Sequence, residues 1–219
     1  MKFSLIAALS AVLTALAACS FVEQPTSDGP PVAKFVPVYV GTAAADWTVS
    51  SVRIDVPAEL TVSEADRYYP LSDIVWRGDP PGDRRQQVAT LMQEAVIDGL
   101  VHLRGGQDVY MELAVTRFHS VTERARAAIG GVHNIEFNLS VFDAETGLQI
   151  VGPLPMDASL NAFGGADAIK ADQRGETQKV RIRRHLTEFM RIELPGDGIF
   201  DLPEEMDDAA AQTVETEES

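Results

Sequence analysis

The chain has 219 residues, with 18 Lys and Arg against 33 Asp and Glu, for a formal net charge of −15. Such an excess of acid repels phosphate backbones, which are held by Lys and Arg, and it excludes nucleic acid as a partner class. The length suits one domain with a core of its own.

Residues 1–18 open on Met1-Lys2 and run through Leu5, Ile6, Leu9, Val12 and Leu13 to Leu16-Ala17-Ala18. A basic residue, a short apolar run and small residues at a cleavage point make up a secretory signal peptide. The run is shorter than the roughly 17–25 residues a transmembrane helix needs. Leu16-Ala17-Ala18-Cys19 resembles the lipobox of bacterial lipoproteins, in which the Cys receives a diacylglyceryl group and becomes the mature N-terminus. Cys19 is the only cysteine in the chain. A lone thiol cannot close an internal disulfide, and acylation removes the liability of an odd one in an exported protein. The resemblance implies a lipid bilayer partner, held through acylated Cys19 at about 0.8 kcal/mol per buried methylene. It also implies the outer membrane, facing the periplasm, because Ser20 stands where inner-membrane lipoproteins commonly carry Asp.

Residues 19–44 read as the lipidated Cys and a Pro-rich tether. Pro25, Pro30, Pro31 and Pro37 keep it from coiling into a helix. A single domain is expected over residues 45–202. Its first strand covers 47–56, where Val52, Ile54 and Val56 alternate with Ser51, Arg53 and Asp55. Ser63-Glu64-Ala65-Asp66 reads as a short helix start. The apolar run Ile74-Val75-Trp76 leads into Arg77-Gly78-Asp79-Pro80-Pro81-Gly82-Asp83, which is turn chemistry.

Asp83 with Gln86 forms a capping box. The helix it opens has apolar positions Val88, Leu91, Met92, Ala95, Val96, Gly99, Leu100 and Leu103, and Gly105-Gly106 follows its end. Alternation predicts strands over 108–118 and 132–142, then a turn at Asp143-Ala144-Glu145-Thr146-Gly147. A third strand starts at Leu148 and fades into Gly164-Gly165. A second helix is expected within 166–193 from the row Ile182, Leu186, Phe189 and Met190, although Lys179–Arg183 also alternates like a strand. Residues 203–219 carry seven acids and no base, and read as an acidic disordered tail. The expected fold is α+β: an antiparallel sheet of about four strands with two helices packed on one face.

No residue pattern points to catalysis. The chain lacks Gly-x-Ser-x-Gly and His-Glu-x-x-His. His119 and His133 flank the loop between two strands and would face each other across a hairpin, but no third ligand accompanies them. Gly130-Gly131 and Gly164-Gly165 lack the continuation of a phosphate loop. No cofactor and no metal are expected. Two places suit an envelope protein partner. One is the loop with Trp76, Arg77 and Asp79, near Tyr68 and Tyr69, since aromatics and Arg favour interface hot spots. The other is the basic run around Arg181 and Arg184. Burial of Trp76 in the core is the competing reading for the first, and a solvated helix face for the second.

Ile74–Asp83 together with Phe142–Gly147 is similar to an uncharacterised lipoprotein family, over most of residues 45–195. The similarity implies residence in the envelope and no catalytic residues. The expected role is a non-enzymatic binding or scaffold component of an envelope assembly or transport system. The alternative is a membrane-tethered periplasmic hydrolase with a non-standard site.

Overall fold

Two strands of 13 residues form the spine, β3 (Gln107–His119) and β4 (Gly131–Asp143). They precede and follow elements described below in a computed structural model that describes residues 43–196. The signal segment 1–18, Cys19, the tether as far as residue 42 and the acidic tail lie outside the described residues. Strict alternation sends Val109, Met111, Leu113 and Val115 of β3 inward, with Ile135, Phe137, Leu139 and Val141 of β4. The antiparallel register sets Leu113 against Leu139 and Met111 against Val141. Glu112, Asn138 and Ser140 take the other face.

The remaining strands are β1 (Trp47–Asp55), β2 (Ile74–Val75), β5 (Gln149–Asp157) and β6 (Leu160–Ala162). The sheet is therefore six-stranded and mixed, not a four-stranded antiparallel one. β1 and β2 both run parallel to β3, with Val52 against Met111 and Ile74 against Phe118. β5 and β6 both run antiparallel to β4, with Leu154 against Leu139 and Leu160 against His133. Each outer lane is thus split between two successive strands, and the sheet remains four lanes wide. Strand direction escaped the sequence reading because alternation records which face is buried, not which way the chain runs. The parallel pairing needs a crossover, and α1 (Arg84–Leu100) supplies it between β1 and β3.

α1 follows the expectation closely. Asp83 caps it by accepting from the Gln86 backbone N–H at 3.1 Å. Its buried row is Val88, Leu91, Met92, Ala95, Val96, Gly99 and Leu100. The second expected helix is two. α3 (Gly165–Gln173) stops before Gly175, which sits at φ 76°, and α4 (Gln178–Glu193) restarts behind a Thr177 cap. In α4 the row Ile182, Leu186 and Met190 recurs every four residues, so the strand-like alternation of Lys179–Arg183 loses to the helical period. α1 and α4 pack together and share one core with the inner face of β3 and β4. They touch at Gly99, where an added Cβ would meet the Thr187 carbonyl oxygen at 2.6 Å.

A short α2 (Glu123–Ala127) packs on α3 in the β3–β4 connection. The segment Ser63–Asp66 is not helical. Val62 bridges Ile74 beside it, and the Ser63 N–H donates to the Ile74 carbonyl at 3.0 Å.

Candidate functional site

Arg84, the first residue of α1, is only 5% exposed. A buried cation is costly unless it is paired and fully hydrogen-bonded. Its Nε and Nη2 donate to the two carboxylate oxygens of Glu64 at 2.7 and 3.1 Å. Nη1 donates to the carbonyls of Asp79 and Pro80 at 3.0 and 3.1 Å, and to Gln87 Oε1 at 2.9 Å. Arg77 reaches the same Glu64 carboxylate at 2.8 Å, and its backbone N–H donates to Ser120 Oγ at 3.2 Å. The hydrogen bonds from Arg84 hold the Glu64 carboxyl below its usual range.

Trp76 has no solvent exposure, so contact with a partner would require this loop to open. Its Nε1–H donates to Asp79 Oδ2 at 2.8 Å, and its ring meets Phe118 edge-on at 5.6 Å. The other Asp79 oxygen pairs with Lys179 of α4. Burial opposes ionisation of Asp79, but Lys179 and the indole N–H outweigh it and leave the carboxyl below its ordinary value. Trp76, Arg77 and Asp79 thus tie the loop to β3, α1 and α4. Arg84→Met should cost about 3 kcal/mol in urea unfolding, since it withdraws the donors from the Glu64 carboxylate, the Asp79 and Pro80 carbonyls and Gln87 Oε1 and opens the frame. Arg53→Ala, which loses only an exposed pair with Glu112, should cost less than about 1 kcal/mol.

The basic run is spread among several partners. Arg183 pairs with Asp98 at 2.6 Å, and Arg184 with Glu176 at 3.2 Å. Arg181 stacks its guanidinium over Phe163 at 3.6 Å and donates to the Asn161 carbonyl at 2.8 Å. Arg184 keeps most of its side chain in solvent, at 64% exposure.

The two histidines serve different neighbours. His119 bonds the Ser72 carbonyl through Nε2 and lies 3.4 Å from Arg117 Nη2 through Nδ1. Because Arg can only donate, Nδ1 accepts and Nε2 carries the proton. Burial lowers the His119 pKa. His133 is buried and accepts from the Val121 N–H at 3.3 Å. Burial first, then the cations of Arg181 and Arg126, push its pKa down to about 3.

One surface feature stands apart from this frame. The loop ahead of β2, the last residues of β3 and the start of β4 enclose an open groove of about 340 Å³. Its walls include Tyr68, Tyr69, Arg117, His119, Ile129 and Val132. Tyr69 is 81% exposed and Ile129 73%. Arg124 lies over the Tyr68 ring at 5.9 Å. Exposed Tyr69 and Ile129 thus stand beside Arg117, Thr122 and Asn134, which gives the groove a mixed apolar and polar lining. The sequence reading noted the tyrosines but missed Arg117, Ile129 and Val132. A register shift between Val115 and Arg117 breaks the alternation there, and Ile129 falls in a stretch with no periodic pattern.

The groove sits at one end of the spine. Residue 43 enters the described chain at the other, where Trp47 pairs with Gln107 and the Gly105 N–H donates to the Trp47 carbonyl. Thirteen strand residues separate the two ends, about 40 Å at ~3.3 Å each.

These elements define a two-layer α+β domain: an open mixed sheet, helices on its inner face, and a groove of mixed lining where the spine ends. The chain belongs to the family of unknown function DUF6778, whose model matches residues 47–206. No functionally curated protein matches it. Among solved structures it is similar to a crystal structure from Caulobacter crescentus CB15 described as a "putative lipoprotein", at 17% identity and a TM-score of 0.27. That match covers 69% of this chain and 91% of the other. Among the described residues no helix is long and apolar enough to cross a membrane.

Proposed function

We propose that this protein is a lipid-anchored envelope component, non-enzymatic, whose folded domain captures a protein partner for an envelope assembly or transport system. The observation that carries the reading is Leu16-Ala17-Ala18-Cys19, a lipobox-like sequence ending in the sole cysteine of the chain. In this reading the acyl chains on Cys19 hold the protein at the outer membrane, facing the periplasm. More than one chain is needed for durable anchoring, and a diacylglyceryl group provides two.

The geometry of the domain supports a capture role. The groove lies at the far end of β3 from Gln107, where β3 pairs with Trp47 of β1. Tyr and Arg at its walls are the residue types that dominate interface energetics. Arg77 contributes through its backbone N–H, which donates to Ser120 Oγ in the groove lining, and in this reading Trp76, Asp79, Arg181 and Arg184 remain candidate partner-binding residues outside the groove.

Cys19→Ser should abolish incorporation of a palmitate analogue and move the protein from the membrane fraction to the soluble one. Labelling that persists in the variant would overturn the anchor.

A further inference from the structure

A second cleft, of about 270 Å³, opens between β1 and the C-terminal end of α1. Ile97, Leu100 and Val101 line it from the helix side, and Val49 and Val52 from the strand. Ile97 and Val101 stand one turn apart and are 46% and 58% exposed, while the other large apolar residues of α1 are buried. Two polar side chains of the lining are engaged within the fold. Thr48 Oγ1 donates to the Gly105 carbonyl at 2.7 Å, and Ser50 Oγ to the Val109 carbonyl at 2.9 Å. Among the described residues β1 pairs with β3 alone, so its outer edge is open beside this cleft.

The last described residue, Gly196, stands at the rim of the same cleft. His102 Nε2 lies 2.8 Å from the Leu194 carbonyl and fixes the chain there. A Cβ added to Gly196 would stand 3.4 Å from Cδ2 of Leu103, which lines the cleft. The sequence continues Asp197-Gly198-Ile199-Phe200-Asp201-Leu202, with three large apolar residues ahead of the acidic run. Apolar residues of this size are what a purely solvating acidic tail lacks. The match to the family runs to residue 206 and takes them in. Reach is sufficient: six residues span up to about 20 Å at ~3.3 Å each, against about 9 Å from Leu103 back to Ile97 at ~1.5 Å per helical residue.

We infer that this cleft is the seat of residues 199–202 of the same chain, with Phe200 and its apolar neighbours against Ile97, Val101 and Val49. Seated there, the segment covers the open edge of β1, which would otherwise invite pairing with a strand of another chain. The opposite edge of the sheet is guarded by other means, since β5 carries Pro153 and Pro155, which cannot donate to an added strand.

The test follows chymotrypsin cleavage after Phe200 in the full-length protein held in detergent micelles, read by mass spectrometry as release of the peptide that begins at Asp201. Cleavage should run roughly tenfold or more slower than in a synthetic peptide of residues 195–206, because the protease acts on the released form. Ile97→Ser with Val101→Ser should bring it close to the rate of the free peptide, while near-ultraviolet circular dichroism from Trp47 and Trp76 stays as in the parent. Phe200→Ser, which alters no residue of the cleft itself, should raise deuterium uptake across residues 97–104. Parent cleavage as fast as in the free peptide would overturn the inference. Protection that survives both serine substitutions, with uptake at 97–104 unchanged in Phe200→Ser, would overturn the cleft as the seat. Protection that disappears on dilution would overturn it as well, by assigning the cleft to the segment of a second copy.

Discussion

Acidification is expected to destabilise the domain from about pH 6.5 downward, well before its carboxylates begin to titrate. The cause is His133, whose pKa falls from 6.5 to about 3 on burial. In the unfolded chain it takes up a proton below about pH 6.5; in the folded chain it stays neutral until about pH 3. Its contribution is therefore fully present above pH 6.5 and is lost progressively as the pH falls toward 3. The gap corresponds to about 3 to 6 kcal/mol, a large part of the roughly 5–15 kcal/mol by which domains are stable.

Structure explains why the ring cannot simply accept the proton. Its Nδ1 is the acceptor for the Val121 N–H, and protonation turns that acceptor into a second donor. Arg181 and Arg126 place further positive charge nearby, and His185 would add to it once protonated. His119 and His185 act in the same direction, since burial lowers both. At lower pH the carboxylates join. Glu64 and Asp79 are held below their usual values, and Asp143, bonded by Gln107 and Thr146, is held at about 2. Stability from these groups is present above pH ~4.5 and disappears as the pH falls through their folded values. Urea midpoints measured from pH 8 to 4 should fall steadily below 6.5. His133→Asn, which keeps an acceptor for Val121, should flatten that decline between pH 6.5 and 4.5. An unchanged slope in the variant would remove His133 from the account.

Trp76→Ala is expected to cost about 3–5 kcal/mol, the range for truncating a fully buried large aromatic. The loss combines the cavity beneath Phe118, the edge-on ring contact and the hydrogen bond that orients Asp79 toward Lys179. Gly78 folds over the indole so closely that a Cβ there would stand 2.2 Å from the ring, so the loop has little room to collapse into the space. Trp76→Phe should recover roughly half of the loss, because it restores ring volume without the N–H donor. Chemical denaturation with both variants decides the matter. Unchanged stability in Trp76→Ala would mean that the indole packs nothing and would return it to the surface.

Legibility in the sequence followed the kind of information each element carries. α1 was readable from its cap and period, but not its end: it stops at Leu100 with Val101 as cap, so Leu103 lies beyond it, and Gly105 serves the contact with Trp47 instead of ending the helix. β3 and β4 were readable as faces from their alternation. β2 and β6, at two and three residues, are too short to show any period. Ser63–Asp66 resembles a helix start only locally. In the fold, Glu64 is committed to Arg84, twenty residues away, and that tertiary demand overrides a weak propensity. Arg84 was invisible as a special residue because burial of a charge depends on neighbours distant in sequence. Trp76 was legible as a landmark, and its place in the core follows from Phe118 and Asp79, which no spacing rule connects to it. The anchor motif is the opposite case: it is read from four adjacent residues, outside the described part of the fold.

The most direct measurement is the intact mass of the processed polypeptide isolated from native envelopes, with its N-terminal peptide sequenced by fragmentation. The account requires a chain that begins at Cys19 and carries the added mass of a diacylglyceryl group on that residue. A chain with a free thiol at Cys19, or one that begins beyond it without acyl mass, would contradict the anchor and the envelope capture role built on it.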